Sequence, residues 1–345
     1  MTLYHLISGT LLNFLIMAQC FAVNQNAVVF MYHHFGEPDF PTTNVRLDQF
    51  EQHLRLLEQG NYQIWPLDKI AGHIRSGQPL PDKTIAITID DAYYSVYTKA
   101  YPRLKARNWP FTVFVSTDVI DQRLPAYMSW DQMREMQQHQ VTFANHSASH
   151  DFLIRRQQEE SLQDWARRVS EDIKRAQTRI EKELGQAPLL FAYPYGEYNE
   201  ALANIISKLG FIGFGQHSGA IGSHSDLRIL PRYPMAEAFA GIGEFATKAA
   251  SLALPVTSVK PWDPELNKDL QPSMEVSLAA TDARLDQLVC YVSSQGRVEV
   301  IWLDKNQRFT IRAKQPLPVG RSRYNCTAPS TQPGRYYWFS HLWIR

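Results

Sequence analysis

Two adjacent carboxylates, Asp90 and Asp91, close the run Thr84-Ile-Ala-Ile-Thr-Ile-Asp90-Asp91. Ile85, Ile87 and Ile89 alternate with Ala86 and Thr88, which predicts a short strand inside a protein core. Consecutive side chains at a strand end point in different directions, so one carboxylate can hold a metal while its neighbour handles a proton. Taken alone, the pair is equally well an acidic turn that caps the following helix. A second set is His146-Ser-Ala-Ser-His150. Two histidines four apart can face one way across a turn and, with a carboxylate, form a three-ligand set for Zn²⁺ or a similar ion. By itself the spacing more commonly marks two surface histidines. The third stretch, Phe191-Ala-Tyr-Pro-Tyr-Gly196, is an aromatic loop whose backbone could approach a ligand.

These residues need strand ends to position them, and the surrounding pattern supplies strands. Residues 28–32 form an apolar run that ends at His33-His34, and residues 111–115 and 141–145 repeat the theme, the latter ending at His146. Leu47, Phe50, Leu54 and Leu57 recur at helical spacing before Gly60-Asn61. Residues 130–138 also read as helix. The longest helical stretch runs through Leu162, Trp165, Val169, Ile173, Ala176, Ile180 and Leu184 to Gly185, with Asp164–Arg168 and Glu171–Arg175 expected as surface pairs. Strands at 189–193 and 211–214, a helix at about 199–208, a segment at 228–235 and a helix at about 243–253 continue the alternation. Repeated βα units of this length predict a parallel sheet, open or closed into a barrel. After Leu254, prolines 255, 261, 264 and 272 interrupt the chain and helical periodicity stops. Short strand candidates at 274–278, 288–293, 298–303, 309–312 and 336–344 then predict a small β-sandwich.

A chain of 345 residues exceeds the roughly 250 at which single cores stop growing, so two domains are expected. With 35 basic against 34 acidic residues, nothing argues electrostatically for a nucleic-acid partner. Residues 6–17 are apolar but too short to span a bilayer, and Ala22 suits signal-peptidase cleavage, although the first residues carry no Lys or Arg. The expectation is a signal peptide at 1–22, an exported protein (periplasmic or extracellular) and no transmembrane anchor after cleavage. Cleavage would remove Cys20 and leave Cys290 and Cys326, an even count that predicts a disulfide. The expected organisation is therefore 1–22 signal peptide, 23–254 barrel and 255–345 β-sandwich.

In order and spacing, Thr88-Ile-Asp-Asp-Ala92, His146-Ser-Ala-Ser-His150 and Ala192-Tyr-Pro-Tyr195 resemble the three motifs of the polysaccharide deacetylase family, carbohydrate esterase family four. The resemblance covers about 28–253 and implies an α/β fold, a distorted (β/α) barrel, here followed by the small all-β sandwich. It implies Asp90 as general base, Asp91, His146 and His150 as metal ligands, and the Tyr195 backbone N–H as an oxyanion donor. It also implies a divalent metal, Zn²⁺ first with Co²⁺ or Ni²⁺ as alternatives, and an N-acetylglucosamine-containing glycan as partner. Two departures stand out. Ala92 replaces the motif's glycine, and Ala192 replaces the arginine that orients the base, a cation that Arg232 could supply from elsewhere. Met31-Tyr-His-His34 is similar to a permuted branch that includes poly-N-acetylglucosamine deacetylases, which makes His33 the general acid, with His34 and His217 as rivals. The function implied is removal of N-acetyl groups from such a polysaccharide. Alternatives are a peptidoglycan deacetylase, an O-acetyl esterase, or a non-catalytic glycan binder, the last motivated by Ala192. Tyr93, Tyr94, Trp130, Tyr193 and Tyr195 could stack on sugar rings or simply pack a core, and the same choice applies to the aromatic run 336–339 with Trp343.

Overall fold

The computed structural model describes residues 26–345, so the expected signal peptide and Cys20 lie outside the described residues. Eight strands build the principal sheet: β1 (Ala27–Tyr32), β2 (Gln63–Ile64), β3 (Thr84–Asp90), β4 (Phe111–Val115), β5 (Val141–Asn145), β6 (Leu190–Ala192), β7 (Ile212–Phe214) and β8 (Tyr233–Pro234). Their order is β8-β1-β3-β4-β5-β6-β7, with β2 added to β3, and every pairing is parallel. β7 and β8 do not pair directly. Instead the segment leading into β8 runs beside β7, with Gly213 N–H donating to the Leu227 carbonyl, Leu230 N–H to the Gly213 carbonyl and Gly215 N–H to the Leu230 carbonyl. That irregular seam closes the sheet into a distorted (β/α) barrel.

Strand alternation sorts the side chains. Val28, Phe30, Ile85, Ile87, Ile89, Val113 and Val115 pack outward against the helices. Val29, Ala86, Phe114, Ala144, Ala192 and Phe214 fill the barrel interior. Asp90 continues the Ala86–Thr88 face, so its carboxylate points into the barrel. The helix Leu162–Leu184 begins with Ser161 accepting from Asp164 N–H and buries Trp165, Val169, Ile173, Ala176 and Ile180 as the spacing requires. Its expected surface pairs do not form. Arg168 instead reaches Glu160 ahead of the helix, Asp164 takes Arg167, and Arg175 takes Asp172 and Asp118.

Beyond the barrel the helix Ile242–Ala249 stops earlier than its periodicity suggests, because 252–253 pair with the C-terminal strand. The strands of this region are β9 (Leu252–Ala253), β10 (Val256–Lys260), β11 (Ser273–Leu278), β12 (Val289–Val292), β13 (Gly296–Val298), β14 (Ile301–Asp304), β15 (Arg308–Arg312), β16 (Arg321–Pro329) and β17 (Tyr336–Ile344). They form two sheets, β9-β17-β16-β12-β13 and β10-β11-β15-β14, around a common core. The single strand expected at 298–303 is two strands in different sheets, broken where the chain crosses between them. Cys290 and Cys326 are bonded across directly paired positions of β12 and β16. Among the described residues no helix is long and apolar enough to cross a membrane.

Candidate active site

At the C-terminal end of the barrel strands, Asp91 Oδ1 lies 3.3 Å from His146 Nε2 and 3.1 Å from His150 Nε2. The strand stops there because Asp91 and Ala92 both take left-handed backbone conformations, with φ of 72° and 56°. His146 follows β5 directly. Its main chain continues the pairing through N–H to the Val115 carbonyl, and its carbonyl accepts from Ser116 Oγ. The turn to His150 is held from within and from outside. Asn145 Oδ1 accepts the Ser147 N–H, Ser147 Oγ accepts the His150 N–H, and Asp172 accepts the N–H groups of Ala148 and Ser149.

Whether these groups suit a metal can be tested on their lone pairs. The His146 Nδ1–H donates to the Ala192 carbonyl at 2.7 Å, so in the neutral ring Nε2 carries only its lone pair. That lone pair faces Asp91 Oδ1, a buried oxygen with no hydrogen-bond partner among the described residues. Electron pairs held this close repel unless a cation sits among them. Tetrahedral zinc with bonds of 2.0–2.2 Å would set neighbouring donors about 3.3–3.6 Å apart, near the two Asp91–histidine spacings. The three residues fit a divalent cation.

Asp90 is fully buried and serves a different partner. Arg232 Nη1 and Nη2 donate to its two oxygens at 2.7 and 2.8 Å, while Nη1 also reaches Thr88 Oγ1 and Nε the Gly215 carbonyl. Arg232 is itself fully buried and immediately precedes β8, so its side chain rises through the barrel rather than descending from a strand end. Burial pushes the Asp90 carboxyl up, but Arg232 and His146 override it and hold it below the usual carboxylate range. Asp91 is held well below that range against its own burial by His146 and His150. His146 is raised: burial disfavours its charged form, and Asp91 and Asp90 outweigh that.

The three histidines weighed as proton donors sit in different places. His33 extends the interior face of β1, with Nε2 3.9 Å from Asp90 Oδ2. Burial lowers it, and Asp90 and Asp91 oppose the shift. His34 turns away, pairs with Glu37 and stacks between Tyr93 and Phe40. The His217 ring is buried beside Tyr198 and pushed down to about 3 by burial and by His341. Only its carbonyl meets the site's residues, by accepting from Arg232 N–H.

Tyr195 occupies a left-handed position (φ 59°) in the turn Pro194–Gly196, with its ring on Phe152 at 3.9 Å and its edge toward His150. Of the other aromatics, Tyr193 is buried with its hydroxyl on the Arg228 carbonyl, and Trp130 is engaged by Asp121 and Arg179. Tyr94 is exposed, and Tyr93 lies between His34 and Tyr127. Asp172 and Tyr127 carried no signal in the sequence.

Residues 77–213 match the profile of the polysaccharide deacetylase family. The poly-beta-1,6-N-acetyl-D-glucosamine N-deacetylase of Escherichia coli (strain K12) is 23% identical over 283 residues, 71% of this chain. The chain spans only 41% of that relative's length. IcaB from Ammonifex degensii superposes with a TM-score of 0.57 at 25% identity, over 65% of this chain and 97% of that one. The Streptococcus pyogenes deacetylase PplD shares the fold with a TM-score of 0.58 at 22% identity, over 65% of this chain and 98% of that one. Residues 77–213, which carry Asp90, Asp91, His146, His150 and Tyr195, are thus similar to a polysaccharide deacetylase domain, and the barrel shares that fold.

Proposed function

We propose that the chain is an exported, metal-dependent hydrolase that removes N-acetyl groups from a polysaccharide containing N-acetylglucosamine, with β-1,6-linked polymer as the first substrate to try. The observation that carries this reading is the pairing of two unlike carboxylates. Asp91 faces two imidazole nitrogens, and Asp90, one residue earlier, is locked onto Arg232 beside them. A divalent cation held by Asp91, His146 and His150, zinc in the first instance, would supply the Lewis acidity that polarises an acetyl carbonyl and acidifies water.

The chain's own groups do the rest. Asp90, kept ionised by Arg232, accepts the proton of the attacking water. The Tyr195 N–H, presented by its left-handed turn, donates to the oxygen on which negative charge develops. His33, at the end of β1 between Arg232's strand and Asp90's, protonates the departing amine, which otherwise would leave as an unstable anion. Its position below the ordinary imidazole range makes it the stronger proton donor once charged. A non-catalytic binder was motivated by the alanine at 192, and the Arg232 fork on Asp90 removes that motive.

The test is acetate release from N-acetylated β-1,6-linked, chitin-type and peptidoglycan oligomers, and from an O-acetylated glycan. Release should vanish on chelation, return with Zn²⁺, Co²⁺ or Ni²⁺, and be lost in Asp90→Asn. An absence of acetate on all four substrates with the metal supplied would leave only a binding role. Export is checked by the N-terminal sequence of the protein recovered outside the cytoplasm, which should begin at Val23.

A further inference from the structure

The outward face of β16 and β17 is turned toward the barrel. Ser322, Tyr324 and Cys326 are buried toward the sandwich core, which leaves Arg321 and Arg323 on the opposite face. Their cross-strand neighbours there are Ile344 and Leu342. Those two apolar residues join Tyr193, Tyr198 and Leu202 in one core beneath the Pro194–Gly196 turn. The two guanidinium groups go to backbone carbonyls at the mouth of the barrel. Arg321 Nη1 donates to the Tyr195 carbonyl, and Arg323 Nη2 donates to the Gln216 carbonyl at 3.0 Å. Neither arginine makes an ion pair among the described residues. Gln216 in turn presses on the turn, since a Cβ on Gly196 would meet the Gln216 Cβ at 2.5 Å. The second sheet therefore grips both residues of the turn, Tyr195 directly and Gly196 through Gln216.

That turn needs an external grip. Tyr195 is a non-glycine residue at φ 59° and Gly196 follows at φ 68°, a conformation that a chain released from its neighbours would readily exchange for others. Holding the carbonyl of the peptide between them restrains ψ of Tyr195 and so helps keep the left-handed turn that presents its N–H. Resting on the functional reading above, we infer that Arg321 is a positioning residue for the oxyanion-binding turn, which makes the C-terminal sheet a part of the catalytic apparatus. No barrel-only fragment would carry the grip.

The experiment compares the full-length, zinc-loaded wild type with Arg321→Ala and Arg321→Lys. It reads kcat and KM for acetate release, zinc affinity by chelator competition, Tm, and amide hydrogen exchange at Gly196 and Glu197. A misplacement of a reacting group by about 1 Å costs on the order of 100-fold, so Arg321→Ala should lower kcat by roughly 10- to 100-fold. KM should stay within about threefold, with zinc affinity and Tm unchanged. Exchange at the two amides should quicken, and Arg321→Lys, which keeps a donor without the fork, should fall between. Turnover in Arg321→Ala within about twofold of wild type would overturn the inference, as would a loss matched by falling zinc affinity or Tm. A wild type that releases no acetate would instead refute the functional reading. The exchange rates then decide the positioning role alone, and unchanged rates overturn it.

Discussion

Removing the Arg232 guanidinium would strip Asp90 of two hydrogen bonds at 2.7 and 2.8 Å while leaving its carboxylate where water does not reach. Breaking a buried pair from one side costs about 3–5 kcal/mol, because the surviving charge keeps its desolvation penalty without its partner. Arg232→Ala should therefore lose that much stability at neutral pH, a large share of the roughly 5–15 kcal/mol typical of a folded domain. The sign with pH follows from linkage. In the wild type Asp90 sits below its ordinary range, so its stabilising contribution is present above the unfolded carboxylate value and fades as pH falls through the lower folded one. Without Arg232, burial is opposed only by His146 and His33, and the carboxyl rises. The deficit should then be largest near pH 8 and shrink toward pH 5 as Asp90 takes up a proton. The acid limb of the rate profile should move toward neutrality for the same reason. Urea unfolding and acetate release across pH 5–8 measure both. Adding Asp90→Asn to Arg232→Ala should recover most of the stability and none of the turnover, since a carboxamide carries no charge to desolvate. A loss below about 1 kcal/mol, a deficit independent of pH, or no recovery in the double variant would refute the argument.

Other expectations follow from the same geometry. His33→Gln should lower turnover on an N-acetyl substrate by roughly 10²–10⁴, but much less on an aryl acetate, whose phenolate leaves without a proton; equal losses would remove His33 as the acid. Asp172→Ala should weaken zinc binding about 10- to 100-fold by freeing the Ala148 and Ser149 amides that hold the His146–His150 turn, and chelator competition measures this directly. His53 is lowered to about 4, and His217 and His341 each to about 3, all chiefly by burial. The unfolded chain binds protons at these sites below about pH 6.5 and the folded one does not, so stability should fall as pH drops through that window, by up to about 1.4 kcal/mol per unit per group. Equal unfolding midpoints at pH 7 and pH 5 would contradict it.

The parts of this fold that could be read from the chain are those whose side chains face one kind of surroundings. β3, β4 and β5 are buried on both faces and appear as mainly apolar runs broken only by threonines and a polar strand end, and the helix Leu162–Leu184 shows one clean stripe. β16 was missed because it is the reverse case. Arg321, Arg323 and Asn325 alternate with a small or aromatic core face, and what makes the arginines fit is the barrel beside them. The choice between His33 and His34 has the same origin. Neighbouring residues face opposite ways, and which one enters the barrel depends on the Met31–Thr88 register between β1 and β3, set by residues far apart in sequence. Arg232 could be sought only because a cation was missing at Ala192. Asp172 offered nothing, since on its helix it looks like any other surface carboxylate, and only the folded turn brings amides to it.

The division of labour between Asp90 and Asp91 shows why adjacency is useful in this site and what it demands. Asp90 ends a regular strand, so its direction is inherited from the barrel and its partner must come from inside, which Arg232 does. Asp91 would continue the alternation and point outward, away from β5, were it not for its left-handed backbone. Ser147, His150 and Tyr195 take the same conformation on the facing turns. Left-handed geometry costs non-glycine residues roughly 1–2 kcal/mol each. It is tolerated where surrounding contacts over-determine it, and here they do, through Asn145, Asp172, the Ala192 carbonyl and the Arg321 grip. Left-handed residues occur elsewhere in the fold too, but their presence on each of the three motif-bearing turns is what a site assembled from several strand ends requires. Each strand delivers its turn to the same place, and the backbone must then bend sharply to aim a side chain or an N–H at a common centre.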